Sequence, residues 1–177
     1  MVTVSIAVVV ALGSLALIWR TVTTNAKVLL GTNAQITFTP LAYKPSFGPN
    51  GQLVRVPAGE FVPFESRHER YMKIAEVVTT LASASLVFVP SSRLRVYPHS
   101  CSFALVLLGF SVLYCILFMA LLTYFYEGFL YDPNTYTVTK YGLVHALGFG
   151  GLFCFALAYI SLAVRVGWAA IYAATIP

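Results

Sequence analysis

The sequence predicts an all-α integral membrane protein, a bundle of four transmembrane helices with a small β-hairpin in the loop between helices 1 and 2. First, the 177 residues are 59% hydrophobic and only 10% charged, whereas soluble domains carry about 25% charged residues. Second, residues 96–126 contain no Lys, Arg, Asp or Glu. Because about 20 apolar residues cross a hydrocarbon core and lipid cannot hydrogen-bond the backbone, such a segment has to be a membrane-spanning helix. We expect one membrane domain covering residues 1–177.

The first apolar run covers residues 2–19 and stops at Arg20. As a helix it would be about 27 Å long, nearly the thickness of the hydrocarbon core. A signal peptide is the alternative interpretation, because the run is short and lies at the N-terminus. No basic residue precedes it and no small-x-small cleavage site closes it, so we predict a retained anchor.

Loop residues 20–65 differ from this run in composition, since five prolines between positions 40 and 63 exclude a long helix. Polar and apolar residues alternate at positions 35–39 and 52–56, as in half-buried strands. Asn50-Gly51, just before the second stretch, favours a tight turn between paired strands. We therefore predict a small β-hairpin outside the membrane, which rests on the helices, on lipid headgroups or on a second copy.

The second helix is predicted over residues 66–89, from the capping pattern Ser66-x-x-Glu69 to the residue before Pro90, with a juxtamembrane extension before its span begins near Met72. It is the most polar of the four spans. Glu76, Thr80 and Ser83, here called the polar stripe, follow one another at helical spacing and share a face with Thr79. Polar groups at membrane depth are expected to face protein rather than lipid.

The third span is predicted over residues 102–126 and the fourth over residues 141–164, followed by an interfacial tail at residues 165–177. Small residues recur at every fourth position of the fourth span. This small-residue stripe consists of Gly142, Ala146, Gly150, Cys154 and Ala158. Because small side chains allow helix backbones to approach closely in lipid, the stripe is the predicted helix–helix interface.

Basic residues are distributed unequally between the two sides of this four-span scheme. Eight Lys and Arg follow the first and third spans, against three on the other side. Short cytoplasmic loops are enriched in Lys and Arg, so we predict that loop 20–65 is cytoplasmic and that both termini lie on the opposite side. The residues expected to contact lipid headgroups or to fix this topology are Arg67, Arg70, Lys73, Arg93 and Arg95.

Two ionisable residues inside the spans, Glu76 and His145, are candidates for an ion or proton function together with Thr80 and Ser83. Each lies about one turn inside its span on the same side of the membrane, so a contact between them would form a proton-sensitive pair. The alternative interpretations are solvation of Glu76 at headgroup level and a backbone hydrogen bond for His145.

Motifs for catalysis and metal binding are absent from the sequence, which has no His-Glu-x-x-His, Gly-x-Ser-x-Gly or Walker loop. The three cysteines lie in apolar runs without a Cys-x-x-Cys pair, which is typical of small buried side chains. We therefore expect no enzyme activity, no cofactor and no metal. Topology explains the basic excess, so nucleic acid is not an expected partner.

Two functions are favoured by these features, and a membrane enzyme in a complex with a bound cofactor is a further alternative that absent motifs leave open. The leading hypothesis is a non-catalytic structural or assembly subunit, either a homo-oligomer or part of a larger membrane complex. It would pack through the small-residue stripe and present the basic, proline-rich loop to a partner. The alternative is an oligomeric channel, a transporter component or a pore-forming effector lined by the polar stripe.

Overall fold

The computed structural model of this chain describes residues 2–30, 45–47, 53–55, 64–91, 98–131 and 137–175. Four long helices make up nearly all of this described part: α1 (Val2–Leu30), α2 (Phe64–Ser91), α3 (Pro98–Tyr131) and α4 (Val138–Thr175). Each contains a segment long and apolar enough to cross a membrane. The prediction of four helices that are long and apolar enough to span a membrane is confirmed, as expected of a multi-pass membrane protein.

All four helices continue beyond the spans that the sequence predicts, and α1 and α4 do so by the most residues. α1 passes Arg20 and ends at Leu30, and α4 includes most of the tail predicted to be interfacial. A charged residue ends the part of a helix that prefers lipid, but it does not end the helical backbone, which proline disfavours most. Neither extension contains a proline, and both helices continue past their apolar segments.

α3 is the central helix of the bundle, because it packs against each of the other three. α4 packs along both α3 and α1, whereas α2 contacts α4 only slightly. The largest fully buried side chains accordingly belong to α3 and α4: Leu107, Leu108, Ser111, Cys115, Val144 and Cys154. α2 is thus attached to the bundle mainly through α3, and a gap separates it from α4.

Contacts between helix ends define the direction in which each helix runs. Thr3, at the start of α1, lies 3.4 Å from His99 at the start of α3, measured from Oγ1 to Nδ1. The ring of Tyr71, early in α2, lies 6.1 Å from the ring of His145, early in α4. Gly142, early in α4, faces Thr23, late in α1. α1 and α3 therefore start on one side of the bundle and α2 and α4 on the other, as in four successive crossings.

Two three-residue strands lie in the segment between α1 and α2. β1 (Pro45–Phe47) pairs antiparallel with β2 (Leu53–Arg55), and Ser46 lies opposite Val54. The sequence predicts strands at 35–39 and 52–56, and the first of these ranges lies outside the described residues. The hairpin of the predicted fold class therefore stays a prediction.

Candidate functional site

Two hydroxyl groups of α3 link it to its neighbours inside the bundle. Ser111 is fully buried, and its Oγ donates a hydrogen bond to the carbonyl oxygen of Gly151 in α4 at 2.9 Å. The hydroxyl of Tyr114 donates to the carbonyl oxygen of Ala11 in α1 at 3.2 Å. A carbonyl oxygen has two lone pairs, so both acceptors also remain available to their own helices. These two bonds fix how α1 and α4 are rotated about their long axes against α3.

The small-residue stripe of α4 is buried inside the chain at all five positions. Gly142 faces Thr23 of α1 so closely that a Cβ at this position would collide with it. A Cβ at Gly150 would lie 3.3 Å from the Tyr114 ring and 3.4 Å from Leu15 of α1. The stripe therefore brings α4 close to α1 and α3 of the same chain, and these two helices cover it.

The polar stripe of α2 has the opposite placement, since Glu76, Thr80 and Ser83 are all exposed. The residues through which α2 is buried, such as Ala75 and Ala82, lie on a different side of the helix. Within the described part of the chain, no hydrogen bond or ion pair connects the three polar residues to another helix. The polar stripe thus belongs to the outer surface of the single chain.

Thr79 differs from the polar stripe, because its side chain is turned toward α3. Its hydroxyl lies beside the thiol of Cys115, which in turn lies beside Ser111. Oγ1 of Thr79 is inaccessible and makes no hydrogen bond of acceptable geometry to any described residue. A buried polar atom is therefore left unpaired where α2 meets α3.

His145 lies where α2 and α4 approach each other. Its Nδ1 is 3.0 Å from the carbonyl oxygen of Tyr141, so this nitrogen carries the proton and donates it to the backbone. The ring of Tyr141 lies over the imidazole at 3.9 Å between centroids, and the rings of Tyr71 and Phe149 lie at 6.1 and 6.4 Å. Glu76 is not among these neighbours, so the structure does not bring the two ionisable candidates together.

An apolar groove with a volume of about 140 Å³ lies between α2 and α4, with α3 as its floor. The residues that line it are Tyr71, Ile74, Ala75, Val78, Cys115, Phe118, His145, Gly148, Phe149 and Leu152. Its floor residues Cys115 and Phe118 are buried, whereas the wall residues Tyr71 and Phe149 are 42% and 52% exposed. Among these side chains, Tyr71 and His145 carry the only nitrogen and oxygen atoms. The groove is therefore an open and almost wholly apolar site.

The shape of the groove follows from one glycine and from contacts between α2 and α4. A Cβ at Gly148 would lie 3.0 Å from the ring of Phe118, so the glycine allows this ring to form the floor. Farther along, Ser85 of α2 and Tyr159 of α4 share a hydrogen bond between their hydroxyl groups. The aromatic contacts of His145 thus lie at one end of the groove, and the hydrogen bond joins the same two helices about two turns beyond the other end.

The residues predicted to contact lipid headgroups are only partly covered by the structure. Arg70 and Lys73 are exposed near the start of α2. Arg93, Arg95 and the side chain of Arg67 lie outside the described residues. At the same end of the bundle, where α3 meets α4, the ammonium group of Lys140 lies 5.4 Å from the centroid of the Phe125 ring. This cation–π contact adds a further basic residue to that end.

The comparisons with known proteins give no indication of the function of this chain. Comparisons with protein-family models, curated proteins and solved structures found no match. Among the side chains that the structure describes, no three His, Cys, Asp or Glu lie close enough to hold a metal ion. The chemistry that the groove offers is apolar contact.

The groove and the interior hydroxyl bonds are the features that the sequence reasoning missed. Tyr141, His145 and Phe149 stand at steps of four residues, which is a signal for one aromatic helix face. Nothing in the sequence indicates that Tyr71, about 70 residues earlier, stands opposite that face. Ser111 and Tyr114 carry hydroxyl groups in the most apolar span. Polar groups in such a segment are a sequence signal for hydrogen bonds between helices.

Proposed function

We propose that this chain is a non-catalytic structural subunit of a membrane assembly and that it associates with a second copy of itself through the polar stripe of α2. The supporting observation is the exposure of Glu76, Thr80 and Ser83 within a segment apolar enough to span a membrane. An ionisable side chain facing lipid costs about 2.5 to 3.5 kcal/mol at the bilayer centre on insertion scales, and less at the position of Glu76, about one turn inside the span. A covering helix removes part of this penalty.

Charge complementarity favours a second copy as the covering helix. Lys73 precedes Glu76 by one helical turn and is also exposed. Consider a parallel pair of α2 helices related by a two-fold axis that runs between them. Lys73 of one copy and Glu76 of the other are then offset by about 4.5 Å along the helix axis. Long lysine side chains easily bridge such a step. The arrangement is isologous, so each copy contributes and receives the same contact.

Assembly through α2 replaces assembly through the small-residue stripe in this proposal. The stripe on α4 is covered by α1 and α3 of the same chain, as the close approaches at Gly142 and Gly150 show. A surface already buried inside the chain cannot serve a partner without opening the bundle. The polar stripe is free of that restriction, because its residues are exposed.

The loop between α1 and α2 completes the proposal. We assign loop 20–65 with its hairpin to the cytoplasm and both termini to the opposite side, because eight of the eleven Lys and Arg follow the first and third spans. The loop is basic and rich in proline, so it is the part of the chain proposed to contact a cytoplasmic partner. The lipid bilayer and the second copy are the other proposed partners.

The second candidate function is an oligomeric channel, a transporter component or a pore-forming effector. The same observation favours it, because a carboxylate and two hydroxyls at helical spacing would line a water-filled path if several α2 helices surrounded one axis. Reconstituted protein would then conduct ions, and Glu76→Gln would reduce cation selectivity. Planar bilayers that stay silent over a range of voltage and pH would remove this candidate.

Disulfide cross-linking tests the assembly proposal directly. Thr80→Cys is expected to form a dimer under mild oxidation in native membranes, because Thr80 lies in the proposed contact. Leu81→Cys is the matched control, since it is also exposed and at nearly the same depth but about 100° around the helix. The three native cysteines are buried, so the wild-type chain gives the background. Equal dimer yields for the two variants would contradict the proposal.

A further inference from the structure

Two exposed hydroxyl groups lie near the middle of the second span without a hydrogen bond. Thr80 stands halfway along the candidate span Glu69–Ser91, and Ser83 follows it by three residues. Ser85 and Ser91 of the same helix donate to carbonyl oxygens of their own helix. Thr80 and Ser83 make no hydrogen bond to any residue that the structure describes. Because lipid tails offer no acceptor, a partner at this depth has to supply one.

The face of α2 that carries these hydroxyl groups has a repeat of seven residues. Its members follow one another at alternating steps of three and four residues, and all of them are exposed: Lys73, Glu76, Thr80, Ser83 and Val87. These five residues are here called the heptad face. An average step of 3.5 residues keeps one face in contact with a parallel partner helix when the two helices cross with a left-handed twist. The spacing therefore favours a left-handed contact between two α2 helices.

A step of four residues is the competing pattern, and it favours a right-handed crossing of closely packed helices. On α2 it connects Glu76 and Thr80 to Ala84 and Phe88, which are exposed as well. The side chain of Phe88 is 72% exposed, and its ring would hold the two backbones apart where this pattern requires a small residue. The pattern also leaves the hydroxyl of Ser83 unpaired in lipid. The heptad face has neither disadvantage.

The residues at the first position of each repeat favour two helices rather than more. These residues are Lys73, Thr80 and Val87. In parallel coiled coils, β-branched residues at this position favour two strands, and a single lysine there fixes the register. Parallel alignment places the Thr80 residues of both copies at one level and the Ser83 residues of both copies at the next. A hydroxyl of one copy can then donate to a hydroxyl of the other at each level.

Charged residues lie at the start of the same face. Around a two-fold axis, each Glu76 carboxylate has the Lys73 ammonium group of its own chain on one side and that of the other chain on the other side. The two residues are one helical turn apart, so a lysine side chain reaches either carboxylate. Glu69 and Arg70 precede them and are also exposed. These four residues carry two charges of each sign in every copy, so the contact gathers no excess charge.

We propose that the second copy binds through the heptad face in a parallel, left-handed contact of two α2 helices. In this contact the hydroxyl groups of Thr80 and Ser83 pair across the two-fold axis, and Lys73 of each copy pairs with Glu76 of the other. The contact rests on the proposed association through α2 and adds its register, its handedness and the number of copies. Two helices in direct contact enclose no water-filled path, so this arrangement is incompatible with a channel lined by the polar stripe.

Cysteine substitutions along α2 of the full chain in native membranes test the seven-residue repeat. A disulfide requires Cα atoms within about 7 Å, so only residues that face each other across the axis cross-link. Val87→Cys is expected to give several-fold more dimer under mild oxidation than Phe88→Cys. The two residues are adjacent in the chain and are 68% and 72% exposed, so depth and accessibility are matched. Thr80→Cys belongs to both spacings and reports whether the α2 helices pair at all.

Dimer yields at these three positions separate the contact geometry from the association itself. Cross-linking at positions 80 and 87 with little at 88 supports the left-handed contact. Cross-linking at positions 80 and 88 with little at 87, or equal yields at 87 and 88, overturns it and leaves the association through α2 intact. Yields at all three positions no higher than that of Leu81→Cys overturn the association as well.

An exchange of charges tests the pairing of Lys73 with Glu76 between copies. One tagged copy carries Lys73→Glu and a second, differently tagged copy carries Glu76→Lys, each with Thr80→Cys for cross-linking. Two identical copies then bring like charges together at the axis, whereas a mixed pair contains both signs. The mixed disulfide is expected to exceed the proportion for random pairing several-fold, while copies with the natural charges and the same two tags pair at random. Random pairing of the charge variants would overturn the contact between Lys73 and Glu76.

Discussion

At the scale of single residues, hydrogen bonding of a few hydroxyl groups decides how the helices are held together. Lipid tails are as apolar as leucine side chains, so burying apolar surface gives little drive for helices to associate in a membrane. Ser111 and Tyr114 supply directed bonds across helix contacts. Thr79 lies in a comparable position beside Cys115 but makes no such bond. Removal of the hydroxyl group is therefore expected to lower the free energy of unfolding at Ser111 and to raise it at Thr79.

Replacement of Ser111 by Ala is expected to lower the free energy of unfolding. The variant loses the bond to the carbonyl oxygen of Gly151, and bonds of this kind between membrane helices contribute about 0.6 kcal/mol on average and up to about 1.7. Unfolding in mixed detergent micelles, followed by circular dichroism, measures the change. Ser91→Ala serves as the control and should have almost no effect, because Ser91 is exposed and its hydroxyl donates to the carbonyl oxygen of Val87 within the same helix.

Replacement of Thr79 by Val is expected to raise the free energy of unfolding, by about 1 kcal/mol. Valine has nearly the same shape, and it removes a buried hydroxyl group that has no partner in the described part of the chain. The same micelle assay applies. A loss of stability as large as that of Ser111→Ala would mean that the Thr79 hydroxyl is satisfied after all by Cys115.

At the scale of elements, close approach of backbones sets the contact between α3 and α4. Gly151 lies against α3, where a Cβ would come within 2.7 Å of Sγ of Cys115 and 3.4 Å of the carbonyl oxygen of Ser111. The hydrogen bond from Ser111 to Gly151 requires the same short distance. The glycine and the serine therefore act together, because neither contact forms if the helices separate.

A pair of glycine substitutions tests this contact. Gly151→Ala is expected to destabilise the bundle by about 1 to 3 kcal/mol, the usual range for overpacking. Gly109→Ala is the matched control on α3, since a Cβ there would meet nothing within 4 Å. Adding Cys115→Ala to the first variant should restore part of the loss. Indistinguishable stability of the two alanine variants would show that α3 and α4 are not packed as closely as described.

At the scale of the whole molecule, the four helices place two surfaces of different character at the lipid boundary. The polar stripe of α2 offers a carboxylate and two hydroxyls, and the groove between α2 and α4 offers apolar walls. Both exist because α2 is held mainly by α3 and contacts α4 only slightly. A helix packed on all sides would provide neither surface.

Four crossings require that both termini lie on one side of the membrane and the loop between α1 and α2 on the other. Reporter fusions at each terminus and an insertion after Asn50 check this, and we expect the insertion alone to report the cytoplasm. Reversing the charges of Arg70 and Lys73 should lower the fraction of chains in this orientation. Termini found on opposite sides would mean that one of the four helices does not cross.

The sequence by itself determined the number and approximate position of the spans, because hydropathy is a sum over contiguous residues and needs no knowledge of neighbours. It also showed that the small residues of α4 share one face, since helical spacing is a local property. Only the tertiary structure decided what each face meets: α1 and α3 on the small-residue stripe, the outside on the polar stripe, and Tyr71 opposite His145. In lipid nearly every face of a helix is apolar, so the pattern of hydrophobic residues does not mark the inner side. The face of each helix that points inward is determined instead by side-chain shape and by hydrogen bonds between residues distant in the chain, such as Tyr114 and Ala11.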